Sequence, residues 1–125
     1  MAERIILDTS ALIEIFDKDR HRDLLDNDCQ ISIVSVYEYI RYKKEKEGAK
    51  LFLEGAFETF GLSNPIILIA ARIFIALKEN GITVKENDVY IAATALANGV
   101  DLYTKDKDFL AIKRHFKDLR VKMLN

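Results

Sequence analysis

Apolar positions recur along this chain with two different periods. Residues 4–7 carry the run Ile5, Ile6, Leu7, as a short buried strand does. Over 9–17 the spacing changes, and Leu12, Ile13 and Phe16 share one helical face. Residues 20–28 are polar and rich in aspartate, which predicts a short helix or a turn. The β-branched stretch QISIVS, residues 30–35, predicts a second strand. Helices are expected over 36–47, stopped near Gly48, and over 49–60. Gly61, Asn64 and Pro65 then interrupt the chain. The most apolar helix is expected over 66–79, and an alanine-rich helix over 87–98 with Gly99 just past its end. VDLYT, residues 100–104, predicts a third strand, 108–116 a short helix and 119–124 a last strand. Strands alternating with helices specify an α/β protein whose central, mainly parallel sheet is covered on both faces. Such sheets bind ligands beyond the carboxyl ends of their strands, so the residues after each strand carry the chemistry.

Composition narrows this picture. At 125 residues, with no linker, repeat or low-complexity segment, the chain is expected to form a single domain spanning 1–125. A net charge of −1 supplies no overall basic field, so any nucleic-acid contact must be local. The one cysteine, Cys29, excludes an internal disulfide and a cysteine zinc cluster, which suits a cytoplasmic protein. No leader pattern opens the chain, where Glu3 follows Ala2. The apolar segment 65–77 is interrupted by Arg72 and falls short of the roughly 20 residues a bilayer needs, so no membrane partner is expected.

Acidic residues gather where strands end. Asp8 follows the first strand, Glu38 begins the helix after the second, and Asp106 and Asp108 follow VDLYT. Asp88 opens the helix that precedes VDLYT. Each has a local explanation. Asp8 suits a helix N-cap. Ser35-Val36-Tyr37-Glu38 matches a capping box. Asn87-Asp88 suits a cap plus a charge at the helix dipole, and Asp106 with Asp108 a turn and a cap. Capping does not explain why all should meet at one sheet edge. An unscreened carboxylate pair at ~4 Å costs on the order of 4 kcal/mol at an effective dielectric near 20. A cation removes that cost, and an all-oxygen donor set selects Mg2+ or Mn2+ over zinc or copper. Such a centre suits metal-assisted phosphodiester hydrolysis.

LDTSALI with Asp8, SVYEYI with Glu38, NDVYIAATAL with Asp88, and LYTKDKDF with Thr104, Asp106 and Asp108 together resemble the PIN domain. The likeness is nearest to the short VapC-type toxins of toxin–antitoxin pairs and covers essentially the whole chain. It implies a three-layer α/β/α fold and a Mg2+- or Mn2+-dependent ribonuclease. It also implies that Asp8, Glu38, Asp88 and Asp106 form an acidic quartet. Asp108 is an extra ligand, or the fourth if the TKDKDF loop aligns differently. Thr9 and Thr104 would be polar supports beside the metal. The implied partners are an RNA substrate, a cognate antitoxin and a second copy of the chain. The alternative is a PIN-like module that holds RNA or protein without cutting.

Other features carry rival readings. Arg41, Lys43, Lys105 and Lys107 are candidate RNA contacts, although the run RYKKEKEGAK also suits a solvated helix end. Tyr37, Tyr39 and Tyr42 around Glu38 suit packing or base stacking. His21 and His115 sit in polar surroundings far from the acidic motifs, which disfavours a histidine-based ribonuclease. Cys29 reads as a packed side chain. In the 66–79 helix, Ile66, Ile69, Ala70, Ile73, Phe74 and Leu77 make one stripe. Ile67, Leu68 and Ile75 are left for a second surface, expected to be a homodimer contact. Ser10 stands where a haloacid-dehalogenase-like phosphatase needs its second aspartate, and no phosphate-binding glycine motif occurs.

Overall fold

The computed structural model describes residues 3–125. Five strands form one sheet: β1 Arg4–Leu7, β2 Asp28–Ser32, β3 Glu58–Phe60, β4 Asp101–Thr104 and β5 Val121–Met123. Their order is β3-β2-β1-β4-β5, and every pairing is parallel. The six helices are α1 Thr9–Phe16, α2 Ile33–Ile40, α3 Lys46–Ala56, α4 Asn64–Glu79, α5 Glu86–Asn98 and α6 Asp108–His115. A 3-10 turn at Arg22–Asp26 replaces the ambiguous polar segment and follows left-handed backbone at Asp19 and His21.

The central strand β1 explains the layering. Ile5, Ile6 and Leu7 are fully buried, yet they serve different cores because strand side chains alternate. Ile5 and Leu7 join Leu12 and Ile15 of α1, Val36 and Tyr39 of α2, and Leu53 of α3. Ile6 joins Leu102 of β4 and the inner faces of α4, α5 and α6. The expected three-layer α/β/α arrangement with a parallel sheet is therefore present.

The helix expected over 36–47 ends at Ile40, and α3 begins at Lys46 with Gly48, the expected stop, inside it. Three further boundaries depart from expectation. The second strand ends at Ser32, and α2 begins at Ile33 because the Ser32 hydroxyl caps it, accepting from the Val34 N–H. The predicted capping box of Ser35 and Glu38 is thus absent. Ser35 lies inside α2, fully buried, and its Oγ has no partner. Second, α3 stops at Ala56, and residues 58–60 form an edge strand beside β2 in place of the predicted last helical turn. Its three residues are too few to show a period of two. Third, α4 starts at Asn64, with Pro65 in its first turn where a missing N–H is tolerated. Ile66, Ala70, Ile73 and Leu77 are buried, whereas Phe74, expected in the same stripe, is 44% exposed alongside Ile67, Leu68 and Ile75. Among the described residues, no helix is long and apolar enough to cross a membrane.

Alanines let α5 sit close to the sheet. Ala92, Ala93 and Ala95 are buried in the core shared with Ile6 and Leu102. Gly99 closes the helix with φ +62°, which a side chain would strain. Replacing Ala92 by leucine should overpack this contact and destabilise the fold by about 1–3 kcal/mol, read from urea unfolding.

Candidate metal centre

The order of the strands fixes where chemistry can occur. The chain lays β1, β2 and β3 outward in one direction, then crosses back to place β4 on the other side of β1. The point of reversal lies between β1 and β4, and in open α/β sheets ligands bind there. Leu7 pairs with Tyr103, so Asp8 and Thr104 leave the sheet at the same level.

Asp8 has two roles. It caps α1, with Oδ1 accepting from the Ala11 N–H at 2.9 Å. Its carboxylate also accepts from the Ser10 hydroxyl at 2.8 Å and from the Thr104 hydroxyl at 2.6 Å. The side chain is only 3% exposed. Burial raises its pKa to about 6, opposed by the hydrogen bonds from Thr104, Ala11 and Ser10, while the charge of Asp106 adds to the rise.

Asp88 lies in the first turn of α5 and is 6% exposed. Its Oδ2 is buried without a partner. Burial raises its pKa to about 7, and Asp106, Asp8 and Glu38 add to the rise against Lys85. One ligand oxygen from each of Asp88, Asp106 and Asp108 lies within 4.8 Å of the others. Asp106 is held from both sides: its N–H donates to Thr104 Oγ1 at 2.9 Å, and its Oδ1 accepts from the Asp108 N–H at 2.9 Å. Asp106 and Asp108 therefore both belong to the cluster. Glu38 accepts from the Thr9 hydroxyl at 2.6 Å and from the Asn87 amide at 3.3 Å. The donor set is entirely oxygen, and a buried carboxylate oxygen lacks any partner, so these residues fit a hard divalent cation.

A family model described as the PIN domain matches residues 5–115. The chain belongs to the PIN-domain family. Ribonuclease VapC1 of Methanocaldococcus jannaschii is 33% identical to it over 120 residues, covering 94% of this chain and 82% of that protein. Among solved structures, VapBC-5 of Mycobacterium tuberculosis, from a family of toxin–antitoxin systems, is similar at a TM-score of 0.71 and 25% identity, covering 97% of this chain and 98% of that one. VapBC2 of Rickettsia felis, bound to a DNA fragment from their promoter, is similar in fold at a TM-score of 0.76 and 17% identity, covering 98% and 99%.

In this PIN domain the two threonines stand beside acids, Thr9 on Glu38 and Thr104 on Asp8. Two contributors were not legible in the sequence. Ser10 bonds Asp8 and also accepts from the Lys105 N–H at 2.9 Å. Asn87, which suits a cap by sequence, lies within α5, whose N-cap is Lys85, and reaches Glu38. Neither has a signal beyond adjacency to an aspartate.

The candidate RNA contacts separate. Lys105 Nζ lies 3.0 Å from Oε1 of Glu14, a carboxylate 1% exposed on α1 that also faces Lys18 and Arg20. Lys43 pairs with Asp17 at 2.9 Å and lies over the Tyr39 ring. Both lysines are thus engaged in ion pairs with this chain's own acids. Lys107 and Arg41 are exposed. His21 Nε2 lies 3.2 Å from the Asn125 carbonyl, and His115 ends α6. The Cys29 thiol donates to the Leu24 carbonyl, and burial pushes its pKa up to about 11, which leaves it no nucleophile.

The raised acids make stability depend on pH. A carboxyl whose folded pKa exceeds its unfolded value stabilises the fold at low pH and loses that contribution as pH rises through the folded pKa. For Asp8 and Asp88 the window runs from about 4 to about 7. Glu14 and Asp17, whose pKa values are lowered, act oppositely and only in more acidic solution. In EDTA, the melting temperature should therefore fall between pH 5 and pH 8. Asp88→Asn should flatten that fall and melt above wild type at pH 8. Calorimetric melts across the range check this, and a wild-type melting temperature that rises from pH 5 to pH 8 counts against it.

Proposed function

We propose that this chain is a metal-dependent endoribonuclease, the toxin of a toxin–antitoxin pair. The observation that carries this reading is the orphaned Asp88 Oδ2, buried beside Asp106 and Asp108 at the carboxyl edge of a PIN-domain sheet. The VapC ribonuclease at 33% identity supports it. In the proposed arrangement Asp8, Asp88 and Asp106 hold Mg2+ or Mn2+, with Asp108 as a further ligand. Glu38 completes the cluster or orients the attacking water. The ion would supply Lewis-acid polarisation of the phosphodiester and a lowered pKa for that water.

The chain's own residues set the geometry. Thr104 and Ser10 hold Asp8, the Asp108 N–H holds Asp106, and Thr9 with Asn87 holds Glu38. Asp88 keeps a share of its proton near neutrality, which a bound cation would displace, so loading would release protons and tighten as pH rises. A cognate antitoxin is proposed as a partner, from the likeness to the VapBC structures. A homodimer is proposed through the exposed side of α4, where Ile67, Leu68, Phe74 and Ile75 lie. Light scattering at micromolar concentration should give twice the monomer mass; a monomer refutes this contact.

Purified protein should cut a pooled RNA substrate with Mn2+ or Mg2+ and spare it in EDTA. Asp88→Asn should lower cleavage roughly 100-fold or more while the fold persists. Calorimetric Mn2+ titration accompanies the assay. No Mn2+ binding and no cleavage would leave the alternative, a PIN-like module that holds RNA or protein without cutting.

A further inference from the structure

Of the three tyrosines around Glu38, only Tyr39 is buried; its hydroxyl donates to Asp17 at 2.7 Å. Tyr37 is 58% exposed and Tyr42 85% exposed. The Arg41 guanidinium lies between them, 5.3 Å from the Tyr37 ring centroid and 5.2 Å from that of Tyr42. A cation shared by two exposed rings restrains all three side chains, so the group is partly preformed. No hydrogen bond or ion pair to an acidic side chain engages Arg41 among the described residues, unlike Lys43 and Lys105.

Position distinguishes this surface from an ordinary exposed helix end. Arg41 follows Glu38 by three residues, and its own backbone stays in the helical region at φ −59° and ψ −27°. The two side chains are therefore neighbours on α2, about 5–6 Å apart at Cβ. Glu38 is tied to the acidic site through Thr9 and Asn87. A stacked strand rises ~3.4 Å per nucleotide, so one or two nucleotides span the step from Glu38 to Arg41. Arg41 also places a positive charge on the Glu38 side of a mainly acidic site, as Lys85 does beside Asp88, where a polyanion would otherwise be repelled.

We propose that Tyr37, Arg41 and Tyr42 form a stacking platform for the unpaired bases of single-stranded RNA next to the scissile phosphate. The proposal deepens the nuclease reading above and rests on it for the direction of the strand. Aromatic rings and a guanidinium plane accept any base face, so the platform selects single strands over duplex and purines over pyrimidines by stacking strength. A protein-binding surface would need no such preference.

The test measures fluorescence anisotropy of labelled single-stranded oligo(A) and oligo(U), and of a duplex of the same length, with Mn2+ present. The Asp88→Asn protein serves as the non-cutting background. Tyr42→Ala on that background should weaken oligo(A) binding roughly five- to tenfold or more. It should weaken oligo(U) less and leave duplex binding and the melting temperature unchanged. Tyr42→Phe should bind as the background protein does, because it keeps the ring. Tyr37→Ala should repeat the loss. Binding by both alanine variants that equals the background protein's overturns the proposal, as does equal weakening for single strands and duplex. Unchanged RNA binding with an altered oligomeric mass assigns the patch to protein contact and overturns it too. Cleavage by Tyr42 variants of the otherwise unaltered chain separates the two readings. Full cleavage with unchanged RNA binding sinks the platform alone. Ring-dependent binding without cleavage by the unaltered chain sinks hydrolysis and keeps the platform.

Discussion

Carboxylates that must sit close together in a place that water barely reaches govern this molecule. Asp8 and Asp88 are both nearly buried, and each feels Asp106 as well as its own loss of solvent. Burying one ion unpaired is already costly, and burying several of the same sign beside each other is more so. The free chain meets the constraint with protons, which is why the two acids titrate near neutrality. Neutral donors around Asp8, Asp106 and Glu38 hold those charges in place without cancelling them.

The chain treats two classes of acid differently. Glu14 and Asp17 are met by lysines, with Lys105 and Lys18 at the first and Lys43 at the second. The site acids receive neutral donors instead: hydroxyls from Thr9, Ser10 and Thr104, an amide from Asn87, and backbone N–H groups. Neutral donors orient a carboxylate and leave its charge available to a cation. Lys105 shows the separation most clearly. It directly precedes Asp106 in sequence, yet its ammonium is drawn onto α1 by Glu14 while its N–H meets Ser10. The strand-end loop is thereby fastened, and the site is spared a lysine that would compete for its ligands.

Much of this was legible in the residues. The strands β1 and β4, the alanine helix and the acids at strand ends follow from periodicity and from the rule that parallel sheets work at their carboxyl edges. Asp8 could be read as a cap or as a site residue, and the structure shows its side chain making the cap while it feels the charge of Asp106. The capping box at Ser35 misled, because Ser-x-x-Glu spacing occurs wherever a helix carries both residues; Ser32, three residues earlier, makes the cap. Edge strand β3 was lost to brevity. Lys43 and Lys105 looked like free cations because sequence does not show which acids fold against them. Ser10 and Asn87 were hidden for a related reason: their partners are polar groups, and polar pairing has no period.

The sheet order also dictates when the site can exist. β1 is hydrogen-bonded to β4 nearly a hundred positions later, and the Asp8 carboxylate relies on Thr104. Parallel strands so far apart in sequence pair late, since the intervening chain must first be closed into place. A ribosome delivers Asp8 well before Asp106. A nascent chain that stops before β4 therefore lacks the opposite half of the cluster, and the charged edge assembles only after β4 and the loop behind it have been made.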